Sequence, residues 1–313
     1  MKDLLRTADL SRDDVELLLE TSAKFAEQPL SASEHLKNKT VAIYMTKPST
    51  RTRLASETAT AHLGGTPIFI RGDELQLGRG ETIADTAKII SGFCDALIIR
   101  TYKQSDVNEL GANSTIPVIN ALTDDDHPTQ LLADWITIRE NFGKDISGRK
   151  FVYFGDGNNM THAWLTMGAI MGAHVVAATP EGKWAPDADV VAHAKEIARK
   201  SGGSVEVTHD PIAAAKEASV VYTDVWMSMG DPESERDEKS KVLAPFAVTE
   251  SLMSHTAKDS IFMHCLPAHR GEEVAASVID GPKSVIWREA LHRRTTIQAL
   301  LFHLTRGELK GNH

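Results

Sequence analysis

The fold is decided by two neighbouring runs of sequence, Thr40-Val41-Ala42-Ile43-Tyr44-Met45 and Ser49-Thr50-Arg51-Thr52-Arg53. The first run is short and apolar, which predicts a buried strand. After the second run, the residues from Leu54 to His62 begin a helical repeat. A helix N-terminus presents unpaired N–H groups and the positive end of a dipole, so it attracts anions. With Ser49 as the predicted cap and the Arg51 guanidinium as a further donor, this junction predicts a phosphate site.

Short apolar runs alternate with amphipathic stretches along the whole chain. The apolar runs lie at 41–45, 67–70, 96–100, 116–120, 151–154, 174–178, 204–208, 219–223 and 261–266. Amphipathic stretches between them include 83–93, 127–141, 187–200 and 211–218. This alternation predicts an α/β fold with parallel sheets and helices on both faces. Ligands of such sheets bind beyond the carboxyl ends of the strands, so motifs that follow apolar runs are the candidates for a site.

The length of 313 residues predicts two domains. The polar segment 141–148 is the predicted interdomain turn, because it carries two glycines and divides the chain almost in half. Domains are therefore expected at 1–140 and 141–290. Apolar residues at helical spacing over 295–306, ahead of Gly307, predict a last helix that packs on one domain.

Composition and charge exclude several kinds of partner. The formal net charge is −9 and no basic run is present, which argues against nucleic acid. No window reaches the length of a membrane span, and the first residues lack the apolar core of a signal peptide. Cys94 and Cys265 lie far apart in sequence, so no disulfide framework is expected. These features predict a soluble cytoplasmic protein in which locally placed arginines bind any small anion.

Four further motifs follow predicted strands or open predicted helices. They are Arg100, His127-Pro128-Thr129-Gln130, Gly155-Asp156-Gly157-Asn158-Asn159 and His264-Cys265-Leu266-Pro267. Pro128 suits the first position of a helix, and His127 ahead of it is either a cap or a functional group. The Gly155-x-Gly157 pair suggests a dinucleotide-binding turn, but Met160 stands where the third glycine is needed.

A metal site is not expected from this sequence. His264, Cys265 and His269 form an incomplete set of ligands, and no carboxylate is obviously spaced to complete it. A lone cysteine is more often a core residue than a reactive one.

The polar stretch 228–238 has two interpretations. It contains Gly230 and Pro232 and is too polar to bury itself. It is therefore either a solvated surface loop or a mobile lid that closes on substrate.

Taken together, the motifs resemble those of the aspartate/ornithine carbamoyltransferase family. The segments that occur in the family's order are Ser49-Thr50-Arg51-Thr52-Arg53, His127-Pro128-Thr129-Gln130, Asp224-x-x-x-Ser228-Met229-Gly230 and His264-Cys265-Leu266-Pro267. Gln76-Leu77-Gly78-Arg79-Gly80-Glu81-Thr82 and the segment 155–159 also match. The Ser-Met-Gly and His-Cys-Leu-Pro segments are typical of the ornithine-specific members. The resemblance spans the chain and implies two mainly parallel sheets flanked by helices, with a C-terminal helix at 291–313 that returns to the first domain.

The resemblance also implies an activity. Members of this kind transfer the carbamoyl group of carbamoyl phosphate to the side-chain amine of L-ornithine, which gives L-citrulline and phosphate. Residues 1–140 with 291–313 are expected to bind carbamoyl phosphate, and residues 141–290 are expected to bind ornithine. No cofactor is implied, because the departing phosphate can accept the proton of the nucleophile. A homotrimer, or a multiple of trimers, with shared active sites is expected.

The family's motifs imply contacts for each substrate. For carbamoyl phosphate they are Ser49, Thr50, Arg51, Thr52, Gln76, Arg100, His127, Gln130, Leu266 and Arg293, with Gln76 supplied by a neighbouring subunit. For ornithine they are Asn159, Asp224, Ser228, Met229 and Cys265. The expected catalytic residues are Arg100, His127, Asp224 and Cys265. Of these, Arg100 and a protonated or donating His127 are expected to stabilise the oxyanion that forms as a neutral amine attacks.

The chain departs from the family's pattern in two places. Leu54-Ala55-Ser56-Glu57 stands where many members carry a Ser-Phe pair before the glutamate. His292-Arg293 stands where Asn-Arg is usual, and Arg294-Thr295-Thr296-Ile297 stands where Leu-His-Ala-Gln is expected. If Gln298 is the shifted equivalent of that glutamine, Arg294 and not Arg293 is the ligand. Arg293 is favoured because it needs no gap.

Three other functions are weighed against this one. A carbamoyltransferase for another amine or amino acid keeps the phosphate site, but it is expected to change the Asp224-x-x-x-Ser228-Met229 motif. A nicotinamide-dependent dehydrogenase needs the complete glycine fingerprint. A non-catalytic relative is disfavoured because Arg51, Arg100, His127 and Cys265 are all present.

Overall fold

The computed structural model describes residues 1–73, 80–227 and 232–312, and the chain divides into two compact units. Unit 1 contains Met1–Ile136 and Leu291–His313, and unit 2 contains Thr137–Ala290. The division falls inside a helix, ahead of the segment 141–148 that the sequence indicated as a turn. Each unit is built on its own parallel sheet.

Unit 1 has a four-stranded sheet. Its strands are β1 Thr40–Met45, β2 Thr66–Arg71, β3 Ala96–Arg100 and β4 Val118–Leu122, in the order β2-β1-β3-β4. Its helices are α1 Arg12–Glu27, α2 Thr50–His62, α3 Ile83–Phe93 and α4 Gln104–Asn113, with the first part of α5 Pro128–Phe142 and the last part of α12 Ile286–Leu304. The central strands β1 and β3 are buried along almost their whole length, whereas the edge strand β2 carries Pro67 and is largely half-exposed.

Unit 2 has a five-stranded sheet. Its strands are β5 Lys150–Phe154, β6 His174–Ala178, β7 Ser204–Thr208, β8 Ala218–Thr223 and β9 Ile261–His264, in the order β7-β6-β5-β8-β9. Its further helices are α6 Asn159–Met171, α7 Ala188–Ser201, α8 Pro211–Ala215, α9 Arg236–Leu243, α10 Glu250–Met253 and α11 Ala276–Ile279. All the strand pairs are parallel, so their carboxyl ends meet at one edge.

The predicted α/β class with parallel sheets flanked by helices is confirmed, and the C-terminal part of α12 lies against α2 and α5 within unit 1. In unit 1, apolar side chains of β1, β3 and β4 pack with those of α3 and α4, among them Ala42, Leu97, Val118, Ile90 and Leu110. In unit 2, β5, β8 and β9 supply buried side chains such as Phe154, Val221 and Phe262.

In the part of the chain that the structure describes, no helix combines the length and apolarity needed to cross a membrane.

Three predicted elements have different bounds in the structure. The last helix begins at Ile286 rather than at 295. The sequence pattern missed its first turns because exposed Trp287 and Leu291 interrupt the apolar stripe there. The stretch 211–218 is a short helix that ends at Ala215, and Ala218 already belongs to β8. The run 116–120 gives a strand that starts at Val118.

The departure at Ala55 and Ser56 lies on the buried side of α2. Ala55 is buried, and the Ser56 side chain is fully buried. Among the described residues, the Ser56 Oγ atom has no hydrogen-bond partner. A buried hydroxyl without a partner is unfavourable, and nothing in the structure explains why serine stands there.

Candidate active site

The junction between β1 and α2 forms as the sequence predicts. Ser49 has an extended backbone, and its Oγ atom accepts a hydrogen bond from the Thr52 N–H at 3.3 Å, so Ser49 caps α2. The Ser49 hydroxyl also donates to Thr52 Oγ1 at 3.1 Å. Thr52 is fully buried, whereas Arg51 is half-buried. Arg53 lies apart from this set, since it pairs with Glu57 and stacks over the Phe69 ring.

A lysine that the sequence did not single out braces this junction. Lys47 is 4 % exposed, pairs with Asp124, and lies 4.4 Å from the centre of the Tyr102 ring. Asp124 precedes α5 by a few residues, so the pair ties the loop after β1 to the loop after β4. Both loops carry predicted site residues, which this contact holds in register.

Arg100 ends β3 and is almost completely buried. The pairing of β3 with β4 shifts by one residue at this point, so that Ile99 lies opposite Asn120 but Arg100 lies opposite Leu122. Such bulges redirect side chains at strand ends and are frequent beside functional sites. The extra residue lies in β4, next to the pairing partner of Arg100.

His127 precedes α5, which begins at Pro128 as predicted. Burial lowers the pKa of His127 well below its ordinary value of 6.5, and the positive charges of Arg293, Arg100 and Arg51 lower it further. The imidazole is therefore neutral at physiological pH. Of the two states expected from the sequence, the lowered pKa favours the neutral ring, which donates through its N–H group, over the protonated ring.

Asp126 fixes the main chain ahead of His127. Its carboxylate accepts hydrogen bonds from the Thr7 N–H at 2.6 Å, the Thr7 hydroxyl at 2.7 Å and the His127 N–H at 2.8 Å. Burial nevertheless raises the pKa of Asp126 from 3.8 to about 6, against the opposing effect of these donors. The carboxyl group is thus a pH-sensitive support beneath the histidine.

We expect Asp126 to make the stability of the chain depend on pH. The folded state binds the proton of the Asp126 carboxyl more tightly than the unfolded state does. Proton binding therefore stabilises the folded state fully below about pH 4, and this stabilisation is lost as the pH rises through about 6. A difference of about 2 pKa units corresponds to at most about 3 kcal/mol. Urea unfolding between about pH 4 and 7 should show the chain losing stability relative to Asp126→Asn as the pH rises. His127 is present in both proteins, so its own protonation affects both alike and does not contribute to the difference between them. A difference that does not vary with pH contradicts this expectation.

Arg293 joins the N-terminal part of α2 to α5. Its Nη1 atom donates to Gln130 Oε1 at 2.5 Å, and its Nη2 atom donates to Thr52 Oγ1 at 3.1 Å. Gln130 in turn donates from Nε2 to Asp134 Oδ1 at 2.8 Å, and Asp134 is fully buried. Asp134, which the sequence did not indicate, therefore fixes the orientation of the Gln130 amide.

Arg294 points to a different place. It contacts His62 Nδ1 at 3.2 Å and Gln298 Oε1 at 2.9 Å. Of the two candidate arginines, Arg293 is the one beside Thr52 and Gln130. Arg293 lies well inside α12, because that helix begins at Ile286.

In unit 2, the Gly155–Asn159 segment turns tightly into α6. Asn158 caps the helix, with Oδ1 accepting from the Met160 N–H at 2.9 Å and the Thr161 N–H at 3.2 Å, and Asn159 is the first helical residue. A Cβ atom on Gly157 would lie 2.1 Å from the Pro186 nitrogen and 2.2 Å from the Ala185 carbonyl carbon. The lack of a side chain on Gly157 therefore allows the chain's own Ala185–Pro186 backbone to approach closely.

Asp224 and Cys265 meet at the carboxyl ends of β8 and β9. The Cys265 thiol donates to Asp224 Oδ1 at 3.0 Å, and the Val225 N–H donates to the same oxygen at 2.8 Å. Asp224 is 8 % exposed and Cys265 is half-buried. Two groups that lie 41 positions apart in sequence are thus brought into direct contact.

The structure corrects the expectation that no carboxylate lies near His264 and Cys265. Potential ligand atoms of Asp224, His264 and Cys265 lie within 4.8 Å of one another, as do those of His269, Glu272 and Glu273. Both ring nitrogens of His264 are engaged, since Nδ1 accepts from the Leu266 N–H at 2.8 Å and Nε2 lies 3.2 Å from Glu273 Oε1. Both ring nitrogens of His264 are therefore occupied by contacts within the chain.

The polar stretch after β8 is partly helical. A single turn of 3₁₀-helix over Glu233–Glu235 leads into α9, where Lys239 is buried and pairs with Asp156 at 2.6 Å. The ammonium also lies 5.1 Å from the centre of the Trp184 ring. Of the polar segment that the sequence indicated as a surface loop or lid, the part from 236 onward is therefore anchored to the Gly155–Asn159 segment. The predicted site residues Gln76, Ser228 and Met229 lie outside the described residues.

Comparison with known proteins identifies the class. The family model for the carbamoyl-P binding domain of aspartate/ornithine carbamoyltransferase matches residues 2–140, and the model for the Asp/Orn binding domain matches residues 147–304. The chain belongs to the aspartate/ornithine carbamoyltransferase family. The resemblance seen in the sequence motifs is thereby confirmed.

Individual relatives are similar over nearly the whole chain. The ornithine carbamoyltransferase of Pyrococcus horikoshii is 48% identical over 305 residues, which are 96% of this chain and 95% of that protein. The anabolic ornithine carbamoyltransferase of Pyrococcus furiosus is also 48% identical, over 96% of each chain. A solved structure of ornithine carbamoyltransferase from Pyrococcus furiosus superposes with a TM-score of 0.93 at 47% identity, covering 99% of this chain and 98% of that one.

Proposed function

We propose that this chain is an ornithine carbamoyltransferase, which transfers the carbamoyl group of carbamoyl phosphate to the side-chain amine of L-ornithine and releases L-citrulline and phosphate. The observation that carries the proposal is the cluster of positive charge in unit 1. Arg51, Arg100 and Arg293 lie close enough to the buried His127 to depress its pKa, and Arg293 contacts Thr52 directly. The similarity to ornithine carbamoyltransferases over almost the full length supports the same reaction.

The cluster in unit 1 suits carbamoyl phosphate. The capped N-terminus of α2, with Ser49, Thr50, Arg51 and Thr52, binds the phosphate through N–H groups, hydroxyls and a guanidinium. Gln76 of a neighbouring subunit is a further phosphate contact. Arg293 gives up its contacts with Thr52 and Gln130 in exchange for the substrate's oxygen atoms. These groups stabilise the dianion that leaves in the reaction.

Charge on the carbonyl oxygen is stabilised by Arg100, His127 and Thr52. Because His127 is neutral, it acts by donating a ring N–H and keeps its proton. Thr52 Oγ1 accepts from the Ser49 hydroxyl, which leaves its own O–H free to donate to the carbonyl oxygen. Gln130, held by Asp134, and the Leu266 carbonyl fix the carbamoyl amide.

Unit 2 supplies the ornithine half of the proposal. Asn159, Ser228 and Met229 grip the amino-acid end, and Asp224 and Cys265 lie near the reacting amine. The amine reacts in its neutral form, whereas an unperturbed alkylammonium titrates near a pKa of about 10. The Asp224 carboxylate, which already accepts a hydrogen bond from the Cys265 thiol, binds the ammonium, and the ammonium releases its first proton to solvent before the amine attacks. The departing phosphate then accepts the remaining proton, and the reaction needs no cofactor.

The assembly and the location are part of the same proposal. We infer a homotrimer, or a multiple of trimers, in which the segment around Gln76 of one subunit completes the phosphate site of the next. Exposed apolar residues of unit 1, among them Leu54, Ile68, Ile89 and Phe93, support burial of part of this surface between subunits. The enzyme acts in the cytoplasm and takes part in arginine metabolism.

Replacement of Asp224 by alanine tests the assignment of the ornithine half. We expect kcat/KM for ornithine to fall by about a hundredfold, because a buried charged hydrogen-bond partner is removed, while the KM for carbamoyl phosphate changes little. Asp237→Ala, an exposed aspartate on α9, is the matched control and should leave both constants unchanged. Equal losses for both substrates would argue against a dedicated role in binding ornithine.

A further inference from the structure

The segment His264–Glu273, which we call the His264 loop, carries a strained residue at the site. Leu266 has a φ of 59°, in the left-handed region that residues other than glycine rarely adopt. Such conformations persist where surrounding contacts determine them, and they occur often at functional sites. In this chain the contacts that hold Leu266 can be named.

The His264 side chain lies under the loop and bonds in two directions. Its Nδ1 atom accepts from the Leu266 N–H at 2.8 Å, which leaves the ring proton on Nε2. Nε2 then donates to Glu273 Oε1 at 3.2 Å. The His264 main-chain N–H also donates to Glu289 Oε2 at 3.0 Å. The ring is therefore fixed in tautomer and orientation.

Glu273 holds the loop at two points, His264 and His269. The same Oε1 atom that accepts from His264 also accepts from the His269 N–H at 2.5 Å. Glu273 and the His264 side chain are both fully buried. A buried carboxylate that accepts two N–H groups on either side of a short segment is a clamp for that segment.

We propose that Glu273 is a positioning residue for carbamoyl transfer: by holding the His264 ring and the His269 N–H on one oxygen atom, it fixes the Leu266 backbone and the Cys265 thiol. Cys265 lies between the two clamped positions and donates to Asp224 Oδ1 at 3.0 Å. The inference rests on the proposed function, in which Cys265 and the Leu266 carbonyl contact the substrates. Glu273 itself touches neither substrate.

The experiment compares variants of the full chain that change either the length or the charge of the side chain at position 273. Glu273→Gln keeps a carbonyl oxygen at the same reach, whereas Glu273→Asp keeps the charge but draws the oxygen back by one methylene. His264→Asn is a second, independent variant, because its Oδ1 atom replaces Nδ1 as acceptor but cannot reach Glu273. Glu272→Ala is the matched control, since Glu272 is the exposed neighbour, 3.9 Å from His269.

We expect Glu273→Asp and His264→Asn to lower kcat/KM for ornithine by about a hundredfold, the loss typical of a catalytic group displaced by about 1 Å. The KM for ornithine and the KM for carbamoyl phosphate should both rise in these two variants, because Cys265 is assigned to the first substrate and the Leu266 carbonyl to the second. A variant that merely unfolds in part lowers the apparent turnover and leaves the KM for ornithine unchanged. Glu273→Gln and Glu272→Ala should behave like the unsubstituted chain.

Two results overturn the proposal. One is folded Glu273→Asp or His264→Asn protein with unchanged constants for ornithine. The other is a loss in Glu273→Gln as large as that in Glu273→Asp, which assigns the effect to charge and not to reach. Absence of citrulline formation by the unsubstituted chain is a separate outcome, because it contradicts the proposed function itself.

Discussion

Replacement of Arg51 by alanine is expected to lower kcat/KM for carbamoyl phosphate by about a hundred- to a thousandfold. Arg51 lies in the first turn of α2, where the helix dipole and the capped N-terminus already favour an anion. Its guanidinium can bind two phosphate oxygens at once, and its position in the first turn of α2 places it beside the N–H groups that bind the same phosphate. Steady-state kinetics with ornithine saturating measures this loss directly.

Arg53 provides the matched control for Arg51. It lies on the same helix, two residues away, but it pairs with Glu57 and stacks on Phe69 at an exposed position. Arg53→Ala should therefore leave kcat/KM for carbamoyl phosphate close to its original value. Similar losses in both variants would show that general positive charge, and not the position of Arg51, attracts the substrate.

The second large effect is expected on stability, from Lys239→Met. The substitution removes the ammonium that pairs with the buried Asp156 carboxylate, and removal of one partner of a buried ion pair typically costs about 3–5 kcal/mol. Asp156 belongs to the turn that Asn158 and Asn159 follow, so we also expect the KM for ornithine to rise. Urea unfolding followed by circular dichroism measures the loss of stability.

A second ion pair in the same region gives the control for Lys239. Lys183 pairs with Glu235 at 2.7 Å, but both side chains are substantially exposed. Lys183→Ala should change the free energy of unfolding by no more than about 1 kcal/mol. In the double variant Lys239→Met with Asp156→Asn, most of the loss should be recovered. Equal effects of Lys183→Ala and Lys239→Met would contradict the account of the buried pair.

Much of the fold could be predicted from local patterns. The β1 run, the Ser49 cap and the start of α5 at Pro128 each depend on a few adjacent residues, and all three are confirmed. Helix α6 was not among the amphipathic stretches, because nearly all its side chains are buried and it has no polar face. The first turns of α12 were missed for the opposite reason, since Trp287 and Leu291 are exposed.

The site residues that belong to sequence motifs could be predicted. The residues that hold them in place from distant parts of the chain could not. Ser49, Arg51 and His127 stand in recognisable segments. Asp134 and Glu273 do not, because their roles depend on contacts with Gln130 and His264 that only the folded chain brings about. Lys239 directly follows the polar stretch 228–238, and its sequence context gave no sign that it would be buried against Asp156.

The protonation state of His127 also lay beyond the sequence. An isolated histidine titrates near neutral pH, so both states were open. Only the burial of the ring and the three arginines around it decide for the neutral form. The chemistry of oxyanion stabilisation therefore depends on packing as much as on residue type.

The central claim is tested most directly by the choice of acceptor. Citrulline formation from carbamoyl phosphate should be measured with ornithine, in parallel with carbamoylation of putrescine, lysine, aspartate and N-acetylornithine. The account predicts strong preference for ornithine, because Asn159, Asp224 and Cys265 are assigned to its two ends. Activity with another acceptor alone would keep the carbamoyl phosphate half and contradict the assignment of unit 2 to ornithine.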